Sequence, residues 1–449
     1  MKKILFPLLL ILFLLSGCAS PTGELLSIPK APYTHYKVQN ALDTILASGG
    51  QHLAPLSGNN RNSVQLIDLD GDGRNELLSC FLVKEGDVSL PRVYIHKLEE
   101  GEYKLLGYVD GYGDSIDAIW YPELYFDDSR AIAIGWMLGT NPKRGVTVVR
   151  CADDTLETLY NGEYSALSVV DIDSDEIEDI VILCYTGTDE PGTAKLLRYE
   201  SKELNVVSAA PLSKGIVSPG NVRSGFIEGG TIAVVADGMM YEQGYVTDCI
   251  IFSNGVLSNI FYSEDKGCSL STLRARPIFT SDINSDNILE LPKTEPMVSL
   301  PGMDMRWRID WYSFDSSAAM TFRQAIYPSL DNGWVYRFPY NLIGKITVTN
   351  ETPPEMQEYE NCAVTAFRLI NSDGTIGDTL WEIYSIKGEH RADTMTRYDL
   401  KELARSFDAI YGCRIVATEG EYVPTMASLR QAFSLISEEW VLEHWALTQ

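Results

Sequence analysis

The chain has 449 residues, with 62 acidic against 36 basic side chains and a formal net charge of −26. Such a balance argues against a nucleic-acid partner, whose phosphates need basic patches, and against direct adsorption to anionic lipid. Eight cysteines without a C-x-x-C pair, and five histidines outside any H-E-x-x-H motif, give no zinc framework.

At the N-terminus, Lys2 and Lys3 precede an apolar stretch from Ile4 to Leu15. About twelve apolar-rich residues are too few to span a bilayer, and the layout is that of an export signal. The run Leu15-Ser16-Gly17-Cys18 resembles the bacterial lipobox. That resemblance implies cleavage before Cys18 and lipid on its sulfur. Residues 1–17 are therefore expected to be a lipoprotein signal peptide. Residues 18–32, with Pro21, Gly23, Pro29 and Pro32, are expected to be a tether. The implied location is the extracytoplasmic face of the cell membrane, reached through the N-terminal lipid only.

From Tyr33 to Ser48, the positions of Val38, Ala41, Leu42 and Ile45 predict a short helix docked by one apolar face. Gly49 and Gly50 end it.

The next feature organises the rest of the chain. Asp68, Asp70, Asp72 and Glu76 stand within nine residues, between the apolar runs Val64–Ile67 and Leu77–Val83. Carboxylates so close repel one another unless a cation sits among them, and an all-oxygen set suits calcium. Gly71 and Gly73 let the backbone curl the acids inward. A second copy holds Asp171, Asp173, Asp175 and Asp179, with Glu176 at the turn glycine. A third holds Asp282, Asn284, Asp286 and Glu290, with Asn287 at that position. Asn tolerates a left-handed backbone. Strand, D-x-[DN]-x-D-x-x-x-[DE], strand resembles the FG-GAP/VCBS repeat of calcium-binding β-propellers, including integrin α-subunit heads. The resemblance implies propeller blades with calcium in strand-to-strand loops, bound by these acids, by Asn284 and by the Arg74 backbone carbonyl.

The copies are roughly 105 residues apart, which is two blades, because a four-stranded blade needs roughly 40–50 residues. Degenerate, metal-free copies are expected midway. Ile116–Leu138, with Leu124-Tyr-Phe-Asp-Asp-Ser-Arg130 at the loop, is one, and Gly225–Ala236 is the other. Cys80 and Cys184 fall at nearly equivalent places after the first two loops and read as small buried hydrophobes. In Arg306–Phe314, Trp307, Ile309 and Trp311 alternate with Arg306, Arg308 and Asp310, the pattern of a half-buried strand. A carbohydrate-binding aromatic platform is the sharper alternative there.

After Pro328 the character changes. New strand patterns run from Gly333, through Ala363–Ile370 and Thr379–Ile386. Leu400, Leu403, Ala404 and Phe407, and then Leu429, Phe433, Ile436 and Trp440, have helical spacing. Strands followed by helices predict an α+β unit. The order, with Phe338-Pro339 and Gly344-Lys345, resembles the PsbP-like fold. The expected organisation is mainly β: a β-propeller of five to seven blades with its N-terminal helix over 33–327, then a small α+β domain over 328–449, with a boundary near 328–332.

Neither G-x-S-x-G nor G-x-G-x-x-G between strand and helix occurs, and no residue is singled out as catalytic. The function expected is a surface-anchored binding or scaffold lipoprotein with structural calcium, meeting a cell-envelope protein or glycan ligand. The alternative is an extracytoplasmic hydrolase of cell-wall or environmental glycans, which would need two carboxylates across a cleft.

Overall fold

The computed structural model describes residues 33–437, apart from 126, 140–143, 153, 241–242, 303 and 351–361. The expected signal peptide, Cys18, the tether and Trp440 lie outside the described residues.

Helix α1 (Tyr33–Ala47) forms where the apolar spacing places it. Leu42 and Ile45 are buried against Leu77, Phe81 and Val83. Gly49, at φ +91°, follows the helix end.

Six antiparallel sheets follow in chain order. The first contains β1 (Gln51–His52) and β2 (Val64–Ile67), both paired with β3 (Glu76–Glu85), then β4 (Val88–Glu99) and β5 (Glu102–Asp110). The second contains β6 (Ser115–Trp120), β7 (Ala131–Met137), β8 (Arg144–Ala152) and β9 (Thr155–Tyr164). The third contains β10 (Ala166–Val170), β11 (Asp179–Cys184), β12 (Gly192–Glu200) and β13 (Glu203–Leu212). The fourth contains β14 (Ile216–Phe226), β15 (Ile232–Met240), β16 (Gly244–Ser253) and β17 (Val256–Asn259). In the fifth, β18 (Glu290–Pro296), β19 (Trp307–Phe314), β20 (Met320–Ser329) and β21 (Trp334–Phe338) pair in order. In the sixth, β22 (Ile346–Asn350), β23 (Cys362–Ile370) and β24 (Ile376–Lys387) pair in order. Its last two strands are β25 (Lys401–Arg405) and β26 (Ala409–Ile415), with β26 lying between β24 and β25. Helix α2 (Arg391–Arg397) joins β24 to β25, and α3 (Met426–Ala432) leads into β27 (Phe433–Leu435), which returns to pair with β21.

The sheets stack face to face in sequence, so the fold is mainly β and β-propeller-like. Strand β7 shows how. Ile132, Ile134 and Trp136 pack towards the first sheet, while Ala131 and Ala133 pack towards the third. In β11, Ile180 and Ile182 face the second sheet, and Val181 and Leu183 face the fourth. A strand covered on both faces needs apolar residues at every position. This is why these strands read as unbroken apolar runs and not as alternating ones. The fourth and fifth sheets share Val235, Cys249, Leu291 and Phe314, and the fifth and sixth share Tyr327, Trp334, Phe367 and Trp381.

Three expectations for the C-terminal part are corrected. Pro328 lies inside β20, whose partner β21 follows after one short turn, so the sheet runs through 328–332 without a linker. Leu400–Phe407 is not helical: Leu403 and Ala404 belong to β25, and Phe407 is 98% exposed in the turn after it. The helix predicted through Leu429 and Phe433 ends at Ala432, because Phe433 pairs with Tyr336. Apolar residues three or four apart also occur by chance where strands and turns are short, and tertiary pairing overrides the local pattern.

Among the described residues, no helix is long and apolar enough to cross a membrane. Among the described residues no two cysteines are joined in a disulfide. Cys80 is buried as expected, while Cys184 is half-buried at the end of β11 and donates to the Glu163 carbonyl.

Candidate metal centres

All three acidic loops connect the inner part of a sheet to its long buried strand. The first joins β2 to β3 and the second joins β10 to β11. The third joins a short stretch ending at Ser281, bridged to Glu290, to β18. The segments expected to be degenerate copies occupy the matching places: residues 121–130 join β6 to β7, and 227–231 join β14 to β15. The loops expected to be degenerate copies therefore alternate in position with the acidic ones.

The three loops have one conformation. At the fourth and sixth positions the backbone is left-handed: Gly71 and Gly73 at φ +74° and +80°, Ser174 and Glu176 at +63° and +71°, Ser285 and Asn287 at +63° and +64°. Only the first loop uses glycine at these positions. Elsewhere a side chain carries the strain, which costs on the order of 1 kcal/mol per residue. The reason for the curl is visible in the hydrogen bonds. The first Asp accepts from the backbone N–H of position six: Gly73 to Asp68 at 2.9 Å, Glu176 to Asp171 at 3.0 Å, Asn287 to Asp282 at 2.8 Å. The third acidic position accepts from the residue two further on: Arg74 to Asp72 at 2.8 Å, Ile177 to Asp175 and Ile288 to Asp286 at 2.9 Å. The last acid turns back to the loop start: the Leu69 and Ile283 N–H groups donate to Glu76 and Glu290 at 2.8 and 3.0 Å.

The acidic loops also lock onto the loops of the sheets between them. Arg130 N–H donates to the Leu69 carbonyl, Glu178 N–H to Glu123, and Leu289 N–H to Phe226. Gly71 is held against the Asp127 backbone, where a Cβ would lie 2.8 Å from the carbonyl oxygen.

Electrostatics separate the three sites. In the first, oxygens of Asp68, Asp70 and Glu76 lie within 4.8 Å of one another. Asp72, also expected as a ligand, is engaged by the Arg74 side chain at 2.6 Å, which lowers its pKa. Glu76 is buried, and burial with the neighbouring Asp70, Asp72 and Asp68 pushes its carboxyl up to about 7. Lys97 reaches Asp70 at 2.9 Å and Asp154 at 2.7 Å, and these bonds raise its pKa. In the second, Asp171, Asp173 and Asp175 come together within the same 4.8 Å. Asp179 is not part of that cluster. Arg198 holds it at 2.7 Å and also binds Asp173 at 2.6 Å. Burial still leaves the Asp179 pKa raised, against the lowering effect of Arg198. In the third, Asn284 donates its amide to Asp286 and Glu290, both at 3.0 Å, and burial pushes Glu290 up to about 7. Its acids do not form a cluster like the other two.

Lys97 and Arg198 were missed by the sequence reading, and they occupy one register. Leu77 pairs with His96, so Lys97 stands across from Glu76. Ile180 pairs with Leu197, so Arg198 stands across from Asp179. In the fifth sheet the residue across from Glu290 is Ser313. A basic residue in the third strand of a sheet was the available signal, but its register is fixed only by pairing.

No known protein family and no curated protein matches the sequence. Among solved structures the chain is similar to Sqt1 from Chaetomium thermophilum, at 10% identity over 73% of this chain and 80% of that one, with a TM-score of 0.31. It is similar to a protein from Lactobacillus plantarum at 10% identity over 73% and 86%, TM-score 0.27. It is similar to the exotype rhamnogalacturonan lyase YesX at 11% identity over 74% and 60%, TM-score 0.34. Likenesses this low carry no argument about activity. The chain itself has a mainly β, propeller-like fold in which two clusters of acids could bind a metal ion.

Proposed function

We propose that the protein is a surface-anchored binding or scaffold lipoprotein whose loops hold calcium in a structural role. The observation that carries this reading is the recurrence of one strained loop conformation at the same place in three sheets, with the acids of the first two drawn together around a local centre. The donors are carboxylates from a single short segment, a hard-oxygen set that suits calcium, with Asp68, Asp70 and Glu76 as the first ligand group. Bound there, calcium would neutralise the acids and tie each segment to itself. A catalytic metal needs an open position, which a self-contained loop supplies poorly. The carboxylates whose pKa burial raises, Glu76, Asp179 and Glu290, are all last acids of these loops. The hydrolase alternative would need such acids paired across a cleft. Anchoring through lipid on Cys18 and a cell-envelope ligand complete the proposal.

Thermal melts with calcium and with chelator test it. Calcium at a hundredfold excess over its dissociation constant should add roughly 2.7 kcal/mol. Asp70→Ala with Asp72→Ala should remove most of that response. Identical melts under both conditions would reject the metal. Cys18→Ser should release the protein from the membrane fraction, and retention after a high-salt wash would reject the anchor.

A further inference from the structure

At one end of the seam between the fifth and sixth sheets lies an open cleft of about 250 Å³. Its walls come from the start of β19, the end of β20 with the turn after it, the end of β22, and the segment leading into the fifth sheet. Arg306 and Asn350 also line an adjoining space of about 260 Å³, so the cleft continues past them as a groove.

Two features of the cleft bear on what it could hold. Most arginines that reach an acid are ion-paired, as expected at a net charge of −26. Arg276 and Arg306, like Arg61 and Arg391 elsewhere, have no acid within ion-pair distance among the described residues, and these two line the same cleft. Arg276 is stacked over the Trp307 ring at 5.3 Å, and Arg306 acts electrostatically on the Tyr327 hydroxyl in the wall. Second, the indole N–H of Trp307 is buried without a hydrogen-bond partner in the protein. A buried donor left unpaired costs about 1–3 kcal/mol, and native structures leave few of them. Unpaired guanidiniums beside an unpaired donor call for an anion that also accepts hydrogen bonds.

The rest of the lining narrows the class. Asp331, Asn332 and Asn350 are short polar side chains suited to hydroxyl groups, and Asp331 would repel a bare polyanion. The volume lies below the roughly 300 Å³ at which drug-sized pockets begin, so it suits one ring of a longer chain running along the groove. Resting on the binding-protein reading above, we propose that this cleft binds one uronic-acid residue of an acidic glycan. The sugar carboxylate meets Arg276 and Arg306, and the ring hydroxyls meet Asp331, Asn332 and Asn350. Trp307 supplies its N–H and an apolar edge.

The test is calorimetric titration of the full chain with short oligomers of glucuronic, galacturonic and mannuronic acid. Their carboxyl methyl esters and a neutral glucose oligomer serve as controls. At least one uronate oligomer should bind, and its ester should bind about tenfold more weakly, as loss of a charge-paired contact predicts. Arg276→Gln with Arg306→Gln should lose binding by a similar factor, and Trp307→Phe by less, with melting temperatures unchanged. Should the double variant fail to fold, Arg306→Gln alone and Trp307→Phe carry the test. Equal binding of acid and ester, full binding by folded variants, or no binding of any uronate oligomer would overturn the proposal. If calcium-dependent melting persisted alongside that last result, the cleft would be rejected while the metal loops stood.

Discussion

Arg198 reaches from β12 into the acidic loop of the third sheet and holds two of its four acids. At the same register of the fifth sheet stands Ser313, and the neutral Asn284 bridges Asp286 and Glu290 instead. The backbones of these loops are alike to within a few degrees of φ at their left-handed positions. One loop thus carries a built-in cation, whereas the other relies on an amide and on the raised pKa of Glu290. The same local sequence pattern therefore meets two different needs for a metal, decided by a residue about twenty positions away. Counting charged ligands ranks the second loop above the third. The cross-strand cation reduces that gap, because it competes with any ion for Asp173 and Asp179.

The sharpest way to break this comparison is Arg198→Ala. Without calcium, the buried Asp179 loses its partner, and the variant should be less stable by on the order of 2–3 kcal/mol. Because the acids are then free for an ion, its calcium response should exceed that of the wild type. An unchanged chelator melt would show that Arg198 does not neutralise the loop.

Next in size is a pH effect. Glu76 and Glu290 have folded pKa values of about 7 against an ordinary 4.5. The folded state thus holds protons that the unfolded state has released. Stability without metal should fall as pH rises from about 4.5 to about 7, and the loss is complete above that window. Calcium prefers the ionised acids, so it should flatten or reverse the trend. Chelator melts that rise across this range would contradict the burial argument.

Asn284→Asp should cost about 1 kcal/mol in chelator, since it places a charge beside Asp286 and Glu290, and it should strengthen the calcium response. A response no larger than wild type would mean the fifth-sheet loop lacks the geometry for an ion. The smallest effect is expected from Glu176→Gly. Relief of the left-handed backbone at φ +71° outweighs the entropy lost to glycine by about 0.5 kcal/mol. A destabilised variant would show that the Glu176 side chain contributes something beyond its backbone.

The loops, the positions of their degenerate copies, helix α1 and strand β19 were legible because each rests on local chemistry: acids at fixed spacing, glycine or Asn at turns, apolar periodicity. Arg308 and Asp310 show the limit. Their alternation with Ile309 predicts a polar outward face, but Asp310 is buried and the two form a paired fork at 2.6 Å. Lys97 and Arg198 were illegible for the same reason, since their meaning depends on register across strands. The Pro328 boundary failed because a proline at a strand end can look like a linker when the second partner of the next strand lies about a hundred residues further on.

That distant partner is β27. Phe433–Leu435 completes the edge of a sheet whose first long strand begins at Glu290, after the whole sixth sheet has been laid down. During synthesis β21 must wait, its edge unpaired, while about one hundred residues emerge, and non-local pairing of this kind is slow. The edge of the fifth sheet is thus completed only after the sixth, like a clasp fastened last. A chain cut before Phe433 would keep every acidic loop but leave β21 open, and an open edge of this kind recruits other chains. Such truncations should fail by aggregating, with their acidic loops still formed.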